Sequence, residues 1–303
     1  MARRKAHATS RALVLGERYD DPDSYPFDEP DFDPELPREP DEVEQPRDSF
    51  VDLAKVDLTK LYEEKPESVF YQRQLQVMLE GKYFHWITVR ALYELVQEGV
   101  LASELVPLPG TGYISFYRAT GHRYWKRDAD EIVKLVARFS ESSFTAALGI
   151  HGETMFDAAL PTEGFMPRGM KVRSYEGKQW TETKHDLDRV FERDGISYGT
   201  EVKNTLSYIE KDELELKVRM CKYLGIRPLF IVRMAPKSYV NFVAEEGGFT
   251  LIFKYQLYPF GQKPFADEVR ARLGLPTDSP SRIYAGTVKR LSGWHLRRLN
   301  AGG

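Results

Sequence analysis

Cysteine is nearly absent from this chain of 303 residues, since Cys221 is the only one. A single thiol cannot form an intramolecular disulfide, and it cannot build a zinc site from several thiolates. We therefore expect a protein of a reducing compartment, the cytoplasm.

Long apolar runs and the common catalytic motifs are also missing. No window approaches the roughly 18 uncharged apolar residues that a membrane helix needs, which predicts no membrane partner. The chain has no Walker phosphate loop, dinucleotide-binding glycine fingerprint, serine nucleophile elbow or HExxH helix. These absences argue against the enzyme classes that depend on those motifs.

Charge is distributed very unevenly along the chain. Residues 17–48 contain 14 acidic and three basic side chains, and the first 49 residues hold seven of the 18 prolines. Such a composition cannot bury enough apolar area to offset chain entropy, so we predict a disordered acidic tail over residues 1–49. It could solubilise the protein, bind a partner, or mimic nucleic acid and compete for a basic groove.

Residues 50–140 show the order of a small winged-helix-like DNA-binding domain. Apolar residues at helical spacing predict short helices, and a Pro-Gly-Thr-Gly turn at 109–112 predicts a β-hairpin. Residues 88–97 take the place of the recognition helix, and residues 105–118 form the wing. A connector helix is predicted over residues 129–140.

Basic side chains with interleaved aromatic residues suit contact with phosphates in this region. The alternative interpretation is a small helical domain whose charged face is merely solvated. The candidate DNA-binding residues are Arg90, Arg118, Arg123, Lys126 and Arg127.

Residues 141–303 predict an α/β domain with a mixed sheet flanked by helices. A helix beginning near Ser142 stops before Pro161, strand-like segments follow, and then come a helix over 209–224 and the apolar strand at 228–232. Helix, meander, helix and strand describe a core around one mixed sheet.

The candidate catalytic residues follow from one hairpin in this domain. Asp194-Gly195 is a turn signal, and period-two alternation puts Glu201 and Lys203 on the same face of the second strand. Asp188 lies 13 residues before Glu201 on the paired strand, so the turn can bring the two carboxylates together.

Two carboxylates offer the hard oxygen ligands that Mg²⁺ or Mn²⁺ prefers, and Mg²⁺ usually takes one or two of them. Such an ion stabilises charge on a scissile phosphate, and a lysine ammonium can orient the attacking water. Glu153, on the preceding helix, can reach the same cluster. We therefore predict the catalytic residues Asp188, Glu201, Lys203 and Glu153, with the three carboxylates as metal ligands.

In this arrangement the sequence resembles the PD-(D/E)xK nuclease superfamily over about residues 142–232. Gly152-Glu153 match its first-helix acid, Asp188 its first catalytic acid, and Glu201-Val202-Lys203 its (D/E)xK triplet. Leucine stands where the family usually has proline before the first acid, which leaves Asp186 as a competitor of Asp188. The resemblance implies a restriction-endonuclease-like core, and the preceding winged-helix-like module resembles the arrangement of Mrr-type restriction endonucleases.

The resemblance implies metal-dependent hydrolysis of phosphodiesters, with DNA as the partner. We expect an endonuclease in defence against foreign DNA, with Holliday-junction resolution or repair as the alternative setting. A rival interpretation is a DNA-binding or regulatory protein whose nuclease-like core is inactive, and a further one places the substrate in RNA. Two nicks on opposite strands would favour a homodimer.

Several other residues have an ordinary structural interpretation. We expect Cys221 in the core, His85, Trp86 and His151 packed or capping, and Lys217 solvated. Lys217 has an alternative role as the polar active-site residue that such nucleases often carry on the helix after the triplet. His185 could contact phosphate, and so could the basic residues of the C-terminal KRLSGWHLRR.

Overall fold

The computed structural model describes residues 48–109 and 112–301, so the tail predicted over residues 1–49 lies almost wholly outside the described residues. The chain divides into two compact units. The first unit ends at Glu141 and also includes Leu273–Leu275, and the second comprises Ser142–Arg272 and the chain from Pro276 onward. No helix in the described ranges is long and apolar enough to cross a membrane.

The first unit combines helices with a small antiparallel sheet of order β1-β3-β2. The predicted helix over 88–97 begins earlier, at His85, and the two long strands extend the predicted wing. Its elements are α1 (Ser49–Glu64), β1 (Val69–Tyr71), α2 (Gln72–Leu79), α3 (His85–Gln97), β2 (Leu101–Leu108), β3 (Gly112–Ala119) and α4 (Lys126–Phe139).

The helices of the first unit form because each buries an apolar stripe in one shared core. Asp48 caps α1 by accepting a hydrogen bond from the backbone N of Phe50 at 2.9 Å. The side chains of Leu58, Leu75 and Leu92 come from three different helices and are all fully buried. Burial of this kind, at about 25 cal/mol per Å² of apolar surface, is the main force that holds the helices on the sheet.

The second unit is an α/β structure, as the sequence predicted. Its sheet has five strands in the order β10-β9-β8-β7-β4, and two short ribbons, β5-β6 and β11-β12, accompany it. The elements are α5 (Ser142–Ala159), a 3₁₀ turn (Leu160–Glu163), β4 (Met166–Val172), β5 (Ser174–Tyr175), β6 (Lys178–Gln179), β7 (Leu187–Arg193), β8 (Ile196–Lys203), α6 (Lys211–Leu224), β9 (Arg227–Val232), α7 (Lys237–Glu245), β10 (Phe249–Ile252), β11 (Gln256–Leu257), α8 (Lys263–Leu273), β12 (Thr277–Asp278) and α9 (Ala285–Ala301).

The sheet is mixed. Strands β4, β7 and β8 form an antiparallel meander, whereas β8, β9 and β10 are parallel. Asp194 and Gly195 form the β7–β8 turn with positive φ values of 50° and 72°, which a two-residue hairpin turn requires. The mixed α/β class predicted for residues 141–303 is therefore confirmed.

Helices cover both faces of the sheet. Tyr198 belongs to the same buried cluster as Phe156 of α5, whereas a Cβ on its neighbour Gly199 would lie only 2.6 Å from the sulfur of Cys221 on α6. Because successive residues of a strand point to opposite faces, α5 and α6 lie on opposite sides. Cys221 is fully buried, which confirms its predicted place in the core.

Candidate active site

Asp188 and Glu201 lie side by side on the paired strands β7 and β8, at the end of the hairpin away from its turn. The register pairs Arg189 with Thr200, and Asp188 and Glu201 come next in both strands. An oxygen of Asp188 accepts a hydrogen bond from the backbone N of Val202 at 2.9 Å, and Oε1 of Glu201 accepts one from the backbone N of Asp188 at 3.3 Å. The carboxylate of Asp188 is thereby held against β8 beside Glu201.

Lys217 of α6 is the cationic partner of Glu201. Its Nζ lies 2.6 Å from Oε1 of Glu201 and also donates to the backbone carbonyl of Asp186. Both side chains are almost completely buried, so the solvated interpretation of Lys217 is wrong. Asp186, the competitor for the first acid, contributes its backbone carbonyl here, whereas Asp188 contributes its carboxylate.

The pKa of the Glu201 carboxyl is raised far above its ordinary value. Burial, and then the neighbouring carboxylate of Asp188, raise the pKa of Glu201 to about 8 against the opposing effect of Lys217. Two carboxylates repel each other strongly where water is excluded, and pKa values shifted in this way are typical of functional sites.

Glu153 reaches the same place from α5, but an arginine holds it. Nη2 of Arg189 lies 3.0 Å from Glu153 and 2.9 Å from Asp157, and Nη1 donates to the carbonyl of Asp188 at 2.7 Å. Burial and the charge of Asp188 raise the pKa of Glu153, although Arg189 opposes them. The sequence analysis missed Arg189 and Asp157; the only signal was the helical spacing of Glu153 and Asp157.

Lys203, the last residue of the triplet, pairs with a residue that sequence reasoning did not single out. Its Nζ lies 2.9 Å from Oε1 of Glu213, in the first turn of α6. Burial lowers the pKa of Lys203, but Glu213, Glu201 and Asp188 outweigh that effect and raise it. The lysine is therefore a cation at neutral pH and lies within the field of both candidate catalytic acids.

Gly152 explains how α5 brings Glu153 this close. A Cβ at Gly152 would lie 2.7 Å from Cβ of Asn204, the residue that follows β8. The amide of Asn204 donates to the carbonyls of Leu148 at 2.8 Å and Leu257 at 2.7 Å, and this fixes the helix against the strand end. Any larger residue at 152 has to move α5 away from the carboxylates.

These groups together carry more negative than positive charge. The cluster is defined by five acidic side chains and three cations, an excess of two negative charges when every acid is ionised and of one when Glu201, whose pKa is about 8, holds a proton. Its members are Glu153, Asp157, Asp188, Glu201, Glu213, Arg189, Lys203 and Lys217.

The donor set fits a divalent ion through two carboxylates. Within residues 48–109 and 112–301, no group of three or more carboxylate, histidine or cysteine side chains is already arranged to hold a metal. Glu153 is engaged by Arg189 and Glu201 by Lys217, but Asp188 and Glu201 lie side by side and together offer hard oxygen donors. Because Mg²⁺ commonly takes only one or two protein carboxylates, the residues present suit it.

The candidate DNA-binding residues of the first unit divide into two kinds. Arg118 is largely buried, pairs with Glu104 at 2.9 Å, and lies 5.4 Å from the ring of Trp125, so it holds the hairpin and is not available to phosphate. Arg90 is exposed and pairs with Glu94 at 3.1 Å. The remaining candidates, Arg123, Lys126 and Arg127, are exposed.

The exposed face of α3 is aromatic as well as basic. His85 and His151 are buried as expected, but Trp86 is 46% exposed, so its packed interpretation is wrong. Spacing of four, three and four residues puts Trp86, Arg90, Tyr93 and Gln97 on one exposed helix face.

No protein-family model matches the chain, and no curated protein or solved structure matches it either. Arguments about function therefore rest on the residues and geometry of the two units.

Proposed function

We propose that this protein is a divalent-metal-dependent endonuclease that hydrolyses phosphodiester bonds in DNA. The observation that carries the proposal is the pair of adjacent carboxylates, Asp188 and Glu201, beside the cation Lys203. The raised pKa of Glu201 shows that this pair is costly for the isolated protein, as expected where a ligand supplies the missing positive charge.

The order of the elements supports the same proposal. Helix α5, the β4–β7–β8 meander, α6 and β9 follow the order expected for a restriction-endonuclease-like core, which we propose for residues 141–303. In the first unit, three helices and a hairpin whose second strand pairs with β1 support a winged-helix-like module. The likeness of this arrangement to Mrr-type enzymes favours a setting in defence against foreign DNA.

The roles of the side chains follow from their contacts. Mg²⁺ or Mn²⁺ held by Asp188 and Glu201 would supply charge neutralisation at the scissile phosphate and a more acidic water. Lys203 presents a positive charge on the same strand face and can orient that water or neutralise developing charge. Lys217 keeps Glu201 in position, and Arg189 holds Glu153 next to Asp188.

A cleavage assay tests the proposal. The full chain is incubated with plasmid, linear duplex, branched DNA or RNA, with Mg²⁺, with Ca²⁺ or with chelator. We expect Mg²⁺-dependent cleavage that Asp188→Asn, Glu201→Gln and Lys203→Met each reduce by about 10²-fold or more, since each removes a charge that acts on the scissile phosphate. Lys222→Met, which changes an exposed lysine in the last turn of α6, is the control and should cleave normally.

Two results would contradict the proposal. Cleavage that persists in excess chelator would show that the activity does not use this site. DNA binding without cleavage under every metal condition would instead support the inactive DNA-binding protein. Branched DNA as the preferred substrate would move the setting from defence to junction resolution or repair.

A further inference from the structure

Exposed basic side chains gather where the edge strand β4 ends and where the chain enters β7. Residues 166–185 contain five basic and two acidic side chains. Lys171, Arg173 and Lys184, three of these five, are exposed, and so is the neighbouring His185. The basic residues considered for DNA binding in the sequence analysis belong mainly to the first unit, so this surface is additional to them.

The strand register places Lys171 next to the candidate catalytic acids. Strand β4 is the outermost strand of the sheet, and it pairs with β7 through Met170–Arg189 and Val172–Leu187. Lys171 lies between these pairs, across from Asp188. Because paired strands are about 5 Å apart, the lysine backbone is one strand away from that acid.

Internal contacts join the other basic residues to the same surface. Nη2 of Arg173 donates to the carbonyl of Thr183 at 2.9 Å, and Nδ1 of His185 lies 3.1 Å from the hydroxyl of Thr183. Trp180, fully buried, anchors this segment by donating its backbone N to the carbonyl of Arg173 at 2.7 Å. These contacts tie Arg173 and His185 together through Thr183, and Lys171 and Lys184 lie within two residues of them along the chain, so the basic residues on either side of β5 and β6 are brought to one surface.

The cations of this surface are not neutralised by the protein. Neither Lys171 nor Lys184 forms an ion pair with any other residue that the structure describes, in contrast to Lys203 and Lys217. Lys184 lies two residues before Asp186, whose carbonyl binds Lys217 at the carboxylate pair. A negatively charged cluster is thus bordered on its β4 side by exposed positive charge.

We propose that Lys171, Arg173 and Lys184 bind backbone phosphates of the nucleic acid next to the scissile phosphate, on the β4 side of Asp188. The inference rests on the proposed function, since it names the substrate-binding surface of the same site. A polyanion approaching a cluster with excess negative charge is repelled, and cations beside that cluster counter the repulsion. Each phosphate they neutralise releases condensed counterions, which makes binding salt-dependent.

The test compares two double variants of the full chain. Lys171→Gln/Lys184→Gln removes two cations of the surface and leaves Arg173, with its structural hydrogen bond, in place. The control Lys178→Gln/Lys222→Gln removes two exposed lysines at the turn end of the β7–β8 hairpin, the end away from Asp188. Lys178 belongs to the same stretch of chain as the basic surface, but its Nζ lies 3.1 Å from the position that a Cβ on Gly225 would take, just before β9 pairs with Tyr198. The backbone N of Gly225 in turn donates to the carbonyl of Lys222.

Binding to a short DNA duplex is measured by fluorescence anisotropy in chelator over a range of salt concentrations. We expect the first double variant to bind on the order of tenfold more weakly and to lower the slope of log affinity against log salt by about 1.8. The control should match the wild type, and both variants should keep the wild-type circular dichroism spectrum.

An equal loss of DNA affinity in the two double variants, or no loss in either, would contradict the proposal that this surface binds phosphates. Cleavage reports separately on the proposed function. If the wild type cleaves DNA and the first variant binds it normally, the nuclease proposal stands and the phosphate-binding surface is rejected. If the wild type binds DNA without cleaving it and the first variant loses binding, the surface stands and the nuclease proposal is rejected.

Discussion

Two buried carboxylates of the second unit, Glu201 and Asp278, respond to burial in opposite ways. Burial raises the pKa of Asp278, but hydrogen bonds from the Tyr284 hydroxyl, the Ser279 backbone and Lys263 outweigh it, and the net pKa is lowered. By contrast, burial and the carboxylate of Asp188 raise the pKa of Glu201 to about 8, although Nζ of Lys217 lies only 2.6 Å from it.

The difference comes from what surrounds each charge. Hydrogen-bond donors surround Asp278 on several sides, so they stabilise its carboxylate anion in the buried position. Glu201 has one cation in direct contact, Lys217, and a second carboxylate, Asp188, beside it, while Lys203 pairs with Glu213 and acts on both acids only through its field. A buried acid with enough donors stabilises the fold, whereas a buried pair of acids stores repulsion that a ligand can relieve.

The largest expected effect comes from removing the cation of Glu201. Above the pKa of Glu201, Lys217→Met leaves a buried carboxylate without its counter-charge, and we expect the free energy of unfolding to fall by about 3–5 kcal/mol in urea titrations at high pH. The fall should be smaller at neutral pH, where Glu201 can take up a proton. Adding Glu201→Leu to the same chain should restore most of the loss, because no buried charge then remains. A loss of stability as small as that for an exposed ion pair would mean that water reaches Glu201 and screens its charge.

Asp278→Ala should have the next largest effect, about 2 kcal/mol at neutral pH, because it leaves the Tyr284 and Ser279 donors without their acceptor. The folded pKa is lowered, so this stabilisation is present above the unfolded value of about 3.9 and disappears as the pH falls through the folded pKa. Urea titrations from pH 7 to pH 2 should show the wild type and the variant converging in acid. A constant difference would contradict the assignment.

Asp188→Asn should act in the opposite direction. It removes one charge from a cluster with excess negative charge, and so relieves the repulsion that raises the pKa of Glu201. We therefore expect the metal-free protein to gain about 1 kcal/mol in stability while cleavage is lost. Urea unfolding in chelator, beside the cleavage assay, measures both. Destabilisation by this variant would show that Asp188 is a structural acid like Asp278.

The smallest effect is expected in the first unit. Arg90 and Glu94 form an exposed pair one helical turn apart, and Arg90→Ala should change stability by less than about 0.5 kcal/mol. This variant provides the baseline for the buried groups. A loss of several kcal/mol here would remove the distinction between exposed and buried pairs on which the comparison depends.

Much of the second unit could be predicted from local patterns. The Asp194-Gly195 turn signal and the period-two alternation of the strands predicted that Asp188 and Glu201 would meet, because a tight turn determines the register of the hairpin that it closes. Helical spacing likewise predicted α5 and α6 to within a few residues.

The burial of individual side chains could not be predicted in the same way. Arg118 belongs to a basic run and is nevertheless buried against Trp125, and Trp86 was expected to pack but is exposed. Burial depends on which other elements cover a side chain, and the spacing of residues within one element does not specify that.

The sequence by itself determined the mixed α/β class, the pairing of the two acids and the acidic composition of the first 49 residues, because each depends on local turn chemistry, side-chain period or composition. Only the tertiary structure decided that Lys217 serves Glu201, that Arg189 ties Glu153 and Asp157 to Asp188, and that Lys171 stands one strand away from the acids. These contacts arise where helices fold back onto the sheet and strands meet across it, and the charge balance of the cluster exists only once they have done so.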